Sequence, residues 1–124
     1  MYKITVSGSF SAAHFLRNYK GKCENLHGHN WKVFVEMEGS KLDDTGLLID
    51  FGIVKTELKA VLELLDHKLI NEEVETFEAE NPSAENIARY IFEMMKGAVI
   101  HPHARMKSVT VFETETNSCT YTED

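Results

Sequence analysis

The sequence predicts an α+β fold: an antiparallel sheet of four strands with two helices packed on one face. Three observations lead there. Apolar residues alternate with polar ones near the N-terminus, the apolar spacing becomes helical from Phe51, and short alternating runs return after residue 105. Strands grouped apart from helices, in the order ββααββ, favour an antiparallel sheet over a parallel one.

The first strand is read from Tyr2, Ile4, Val6 and Phe10 alternating with Lys3, Thr5, Ser7 and Ser9, which gives one buried face. The second runs through Trp31, Val33, Val35 and Met37, with Lys32, Glu36 and Glu38 opposite and Gly39 ending it. Residues 17–30 between them are turn-rich. The first helix carries Phe51, Val54, Leu58, Val61, Leu62 and Leu65, with Asp50 as N-cap. The second follows Asn81-Pro82-Ser83, shows Ala84, Ile87, Ala88, Ile91, Phe92 and Met95 as its stripe, and stops at Gly97. Val109 and Val111 mark a third strand, and Ser118 to Thr122 a fourth after a turn near Asn117. The sheet leaves one polar face and two edges, and edge-to-edge association of copies would protect those edges.

Composition bounds the function. The 124 residues fit one continuous domain, 1–124, with no repeat or linker. A formal charge of −7 argues against a general nucleic-acid binder. No apolar run reaches about 18 residues, so no membrane span is expected. The two cysteines, Cys23 and Cys119, are too few for a disulfide scaffold, and a reducing cytoplasm is expected. The charge is uneven. Residues 1–41 hold six Lys or Arg against three acids, whereas 42–124 hold seven against 17, so the N-terminal third could face an anionic small molecule.

Chemistry concentrates in Cys23-Glu24-Asn25-Leu26-His27-Gly28-His29. Residues two apart on a strand point to one side, so His27 and His29 can present two imidazoles to one metal. His14 at the end of the first strand is the third candidate, and a catalytic zinc needs three protein ligands with one position open. Three neutral histidines leave the Zn²⁺ charge high and its Lewis acidity strong. Cys23 has three readings: a fourth ligand that closes a structural site, a small buried residue, or a thiolate base. Asp66-His67 ends the first helix as a proton relay or as a helix-terminal histidine. Glu113 shares a face with Val109 and Val111; if buried it needs a partner, such as a paired N–H group on a ligand, and otherwise it is a wet edge residue. His101-Pro102-His103 and the acidic run Glu72 to Glu80 read as surface loops, and Trp31, Met94 and Met95 as core.

Together these residues resemble the 6-pyruvoyl-tetrahydropterin synthase family. The match is carried by Ser11-Ala-Ala-His14-Phe15, Cys23-x-x-x-His27-Gly28-His29, Leu65-Asp66-His67-x-x-Ile-Asn71, Pro82-Ser83-Ala-Glu85-Asn86 and Val111-Phe-Glu113-Thr114, in the family's order over nearly the whole chain. Three residues between the cysteine and His-Gly-His resemble the bacterial 6-carboxy-5,6,7,8-tetrahydropterin synthases of queuosine (7-deazaguanine) biosynthesis. Animal-type synthases have a longer gap, and folate-linked paralogues have glutamate in place of the cysteine. Ser83 stands where threonine is usual and keeps the capping hydroxyl.

The resemblance implies that His14, His27 and His29 bind zinc, that Cys23 is the general base, and that Asp66 and His67 complete proton transfer. It implies that Glu113 anchors a pterin ring. The implied substrate is 7,8-dihydroneopterin triphosphate, converted to 6-carboxytetrahydropterin, acetaldehyde and triphosphate; elimination of triphosphate alone, giving the 6-pyruvoyl product, is the alternative. Arg17, Lys20 and Lys22 are candidates for holding the triphosphate, against a reading as exposed surface charges. The fold implied is the tunnelling fold, in which trimers close a barrel and stack as hexamers with sites between subunits. A noncatalytic zinc module remains a rival, whereas a cupin is excluded because Val33 and Phe34 stand where its glutamate belongs.

Overall fold

In the computed structural model the described residues are 1–19, 21 and 25–124. Strands β1 (Tyr2–His14) and β2 (His27–Gly39) are followed by helices α1 (Phe51–Glu63), α2 (Ile70–Glu73) and α3 (Ala84–Ala98), then β3 (Arg105–Phe112) and β4 (Ser118–Tyr121). The four strands form one antiparallel sheet in the order β1-β2-β3-β4. The α+β architecture expected from the sequence is the one observed.

Period 2 places the core. Val6, Phe10, Ala12, Trp31, Val33, Val35, Met37, Val109 and Val111 are buried on the face that α1 and α3 cover. Phe10 and Trp31 face each other across β1 and β2 with their rings stacked at 5.6 Å. Each helix starts at its expected cap: Asp50 Oδ1 accepts from the Gly52 N–H at 2.7 Å, and Ser83 Oγ accepts from the Asn86 N–H at 3.1 Å. Ile87, Ala88, Ile91, Phe92 and Met95 of α3 are buried. At roughly 2 kcal/mol per large apolar side chain, that stripe holds the helix on the sheet. At the far end of β2, Gly39 is obligatory, because a Cβ there would lie 2.0 Å from the His103 carbonyl oxygen.

Several details differ from the sequence reading. The first strand ends at His14 as expected, but the second begins at His27, inside the span read as turn-rich. The acidic run read as loop contains α2 and a 3-10 turn over Glu75–Glu78, since Ile70, Val74 and Phe77 bury themselves while the glutamates stay in water. Met94, read as core, is 39% exposed, and Phe51 lies outside the apolar stripe at 53%. Gly97 falls within the last turn of α3 instead of ending it. No helix among the described residues is long and apolar enough to cross a membrane.

Candidate metal centre

The register of β1 and β2 builds the site. His14 pairs with His27 and Ala12 with His29, which brings three imidazoles together on the core face at the end of the sheet. Their rings meet edge-on at 4.6, 5.4 and 4.7 Å. Beneath them Trp31 packs at 4.9 Å from the His14 ring and 5.3 Å from the His29 ring, and its Nε1 donates to the Ala12 carbonyl at 3.2 Å.

The outer hydrogen bonds set which ring nitrogen is free. A carbonyl oxygen only accepts, so His14 Nδ1 carries a proton and donates it to Pro82 O at 2.6 Å. His27 Nδ1 donates in the same way to Asn25 O at 2.6 Å. The Nε2 atoms of these two rings are therefore lone-pair donors. His14 Nε2 and His29 Nε2 are buried with no hydrogen-bond partner. Glu113, one residue past β3, adds its carboxylate: Oε1 lies 3.4, 3.8 and 2.8 Å from Nε2 of His14, His27 and His29. The 2.8 Å contact lacks hydrogen-bond geometry, which is why His29 Nε2 stays unsatisfied.

These ligand atoms all lie within 4.8 Å of one another. Lone pairs and a carboxylate converging at a site where His14 is buried and His27, His29 and Glu113 are partly exposed repel unless a cation lies between them, so the donor set fits a metal ion. Imidazole nitrogens with carboxylate oxygen suit a borderline divalent metal, and the carbonyls behind the rings fix the ligating tautomer. Burial lowers the His14 pKa below the ordinary histidine value, opposed by the Pro82 carbonyl and helped by His27, which favours the neutral ligating form.

Asp66 and His67 do not end α1. They lie in a turn beyond it that hooks back onto β1, where Asp66 Oδ1 accepts from the Ser11 N–H at 2.8 Å and the His67 N–H donates to Ser11 O at 2.6 Å. His67 adopts φ +58°, a left-handed backbone uncommon outside glycine, and its ring Nδ1 lies 2.9 Å from Asp66 Oδ2. The Ser11 N–H, with His67 adding, holds the Asp66 carboxyl below the usual carboxylate range. The turn continues as a parallel bridge between Ala13 and Leu69, next to His14. Arg17 is committed to the fold: its guanidinium donates to the carbonyls of Asn71 at 3.2 Å, Phe77 at 2.8 Å and Glu80 at 3.3 Å. Cys23, Lys20 and Lys22 lie outside the described residues. His101 and His103 occupy a loop, with rings 6.0 Å apart. Sequence reasoning missed Asn71 and Asn81 as site-building residues; the signal for Asn71 was its place at the end of an ordered motif, and for Asn81 its place before the Pro82-Ser83 helix start.

Residues 3–124 match the family model for 6-pyruvoyl tetrahydropterin synthase. The chain belongs to that family. Members of the 6-pyruvoyl tetrahydropterin synthase family act on pterins and are lyases, and this chain is a lyase of that kind. It is similar to the 6-carboxy-5,6,7,8-tetrahydropterin synthase of Haemophilus influenzae, 32% identical over 99% of this chain and 100% of the relative. A protein of the same name from Bacillus subtilis is 34% identical over 97% and 84%. The solved structure of Caenorhabditis elegans 6-pyruvoyl tetrahydropterin synthase superposes with a TM-score of 0.89 at 33% identity, over 99% of this chain and 96% of that one. The names of these relatives divide between two products, the 6-carboxy and the 6-pyruvoyl tetrahydropterin.

Proposed function

We propose that this protein is a zinc-dependent 6-carboxy-5,6,7,8-tetrahydropterin synthase acting on 7,8-dihydroneopterin triphosphate in queuosine (7-deazaguanine) biosynthesis in the cytoplasm. The observation that supports it most is the convergence of the His14, His27 and His29 ring nitrogens, two of them buried without partners. The three-residue gap between Cys23 and His27 and the names of the Haemophilus and Bacillus relatives favour the carboxy over the pyruvoyl product.

In this reading His14, His27 and His29 hold the zinc. The bound ion supplies Lewis acidity that lowers the pKa of the substrate side-chain hydroxyls. Cys23 removes a carbon-bound proton as triphosphate departs, a task that needs the thiolate. Asp66 holds His67 through Nδ1, which leaves Nε2 of a ring 83% exposed to deliver or accept protons. Glu113 receives the N–H pair of the pterin ring, for which a carboxylate offers two matched acceptors. Elimination and rearrangement alone give a vicinal diketone side chain. Cleaving its central C–C bond with one water gives the carboxylate and acetaldehyde, so the carboxy product requires water where the pyruvoyl product does not. Lys20 and Lys22 would supply cations for the triphosphate in this reading, while the Arg17 guanidinium donates to the carbonyls of Asn71, Phe77 and Glu80.

The same reading makes the active unit a hexamer of two stacked trimers. Ser11 and Ala13 direct their N–H groups away from β2, onto Asp66 and Lys68, and alternation puts Lys3, Thr5, Ser7 and Ser9 in the same outward row. Among the described residues these four have no backbone partner on that side, and such an edge suits pairing with the short outer strand β4 of another copy.

The deciding experiment incubates zinc-loaded enzyme with 7,8-dihydroneopterin triphosphate. Acetaldehyde and triphosphate should appear in equal amounts. Triphosphate without acetaldehyde would assign the 6-pyruvoyl activity, and release of neither would overturn the reading. A second reading rests on Glu113 among the four clustered ligands: a closed, noncatalytic site. Retention of zinc by Glu113→Ala with loss of turnover excludes it.

A further inference from the structure

The chain leaves β1 at His14 and continues through Phe15 and Arg17 without a strand neighbour. Two asparagine side chains take the neighbour's place. Asn71 Oδ1 accepts from the Phe15 N–H at 3.0 Å and its Nδ2 donates to Phe15 O at 2.9 Å. Asn81 repeats the arrangement on Arg17, with Oδ1 accepting from the N–H at 2.9 Å and Nδ2 donating to the carbonyl at 3.0 Å. A carboxamide presents one donor and one acceptor side by side, so each satisfies a whole peptide residue as a strand would. Asn71 is 2% exposed, so among the described residues these two bonds satisfy its carboxamide in place of water.

The Arg17 fork closes the arrangement by donating to Asn71, Phe77 and Glu80 carbonyls, and Asn86 Nδ2 donates to Asn81 O at 2.9 Å. Pro82 stands between Asn81 and the α3 cap Ser83, and its carbonyl receives the Nδ1 proton of His14 at 2.6 Å. The loop that binds the backbone after His14 is thus also the loop that orients the His14 ring. We propose that Asn71, Asn81 and Arg17 are positioning residues for the metal centre, fixing the Pro82 carbonyl so that His14 keeps its Nδ1–H tautomer and aims Nε2 at the cluster. This rests on the metal-centre reading above. Its content is that metal affinity depends on two amides and a guanidinium that touch neither metal nor substrate. Removing partners behind a metal-ligating histidine characteristically weakens metal binding about 10- to 100-fold.

The test uses the full-length protein and needs no substrate. Nitrogen NMR of the metal-free protein reads the His14 tautomer, and titration with Co²⁺ reads affinity and the visible absorption band of the bound ion. Wild type should show one tautomer, with Nδ1 protonated. Asn81→Ala should show a mixture, a Co²⁺ Kd raised about 10- to 100-fold and an altered band. Arg17→Lys, which keeps the charge but loses the fork, should move the same readouts in the same direction and replaces Asn81→Ala if that variant fails to fold. Met37→Ala is the control: buried in β2, ten residues and about 33 Å along the strand from His27. It should lower stability and leave tautomer and Kd at wild-type values. An unchanged tautomer and Kd in Asn81→Ala, or an equal rise in Met37→Ala, overturns the proposal. A wild type that takes up no Co²⁺ instead defeats the metal reading, and the tautomer comparison still decides whether the loop orients His14.

Discussion

Replacing His14 by phenylalanine separates the metal contribution from the packing contribution. The side chain is 2% exposed, so an aromatic ring of similar size keeps the volume filled. The change removes an unsatisfied buried nitrogen, relieving about 1–3 kcal/mol, and leaves the Pro82 carbonyl without its donor at a cost of about the same size. The two effects oppose each other, so the metal-free variant should lie within about 1 kcal/mol of wild type, or roughly 4 °C in Tm for a chain of 124 residues. The metal response should differ sharply. Zinc at 100 times its Kd stabilises the wild type by about 2.7 kcal/mol, roughly 10 °C. If the Kd rises about a hundredfold in the variant, the same zinc supplies only about 0.4 kcal/mol, less than about 2 °C. Scanning calorimetry of both proteins, with zinc and with a chelator, measures all four values. A variant that keeps the full zinc shift, or a wild type indifferent to zinc and chelator, would refute the reasoning.

Asp66→Asn should alter acid sensitivity. The Ser11 N–H and His67 hold the folded-state pKa of Asp66 below its unfolded value, so its contribution to stability is complete above the unfolded pKa and disappears as pH falls through the folded one. The variant should therefore show a shallower loss of stability below about pH 4 than wild type in a denaturant series, and identical slopes would contradict the assignment. Ser83→Ala removes the α3 cap that receives the Asn86 N–H at 3.1 Å and should cost about 1 kcal/mol, a Tm decrease of roughly 4 °C by thermal melt. A cap that contributed nothing would leave the melt unchanged.

Much of the architecture was readable along the chain because its signals are local. Alternation in Tyr2–Phe10 and Trp31–Met37 is imposed by the strand repeat, and Asp50 and Ser83 cap helices through atoms two or three residues away. Other features escaped for the opposite reason. The short helix at Ile70–Glu73 and the turn that buries Phe77 are dominated by glutamates in sequence, and only packing against the core distinguishes them from a solvated loop. Arg17 reads as a loop cation facing anions until the carbonyls of three distant residues are found around its guanidinium. Asp66-His67 looks like a helix end, yet Ser11, 55 residues earlier, determines where it stands.

The sequence by itself determined the fold class, the shared side of His27 and His29, and the family, since each depends on spacing within a few residues or on ordered motifs. Tertiary structure decided what those residues face. The β1–β2 register set His14 opposite His27, the end of β3 delivered Glu113 to the same point, and the loop before α3 supplied the Pro82 carbonyl that selects the ligating nitrogen. Periodicity states which way a side chain points, but this cluster draws its groups from three separate segments (β1, β2 and the end of β3) to within 4.8 Å, and only the pairing of whole strands brings them there.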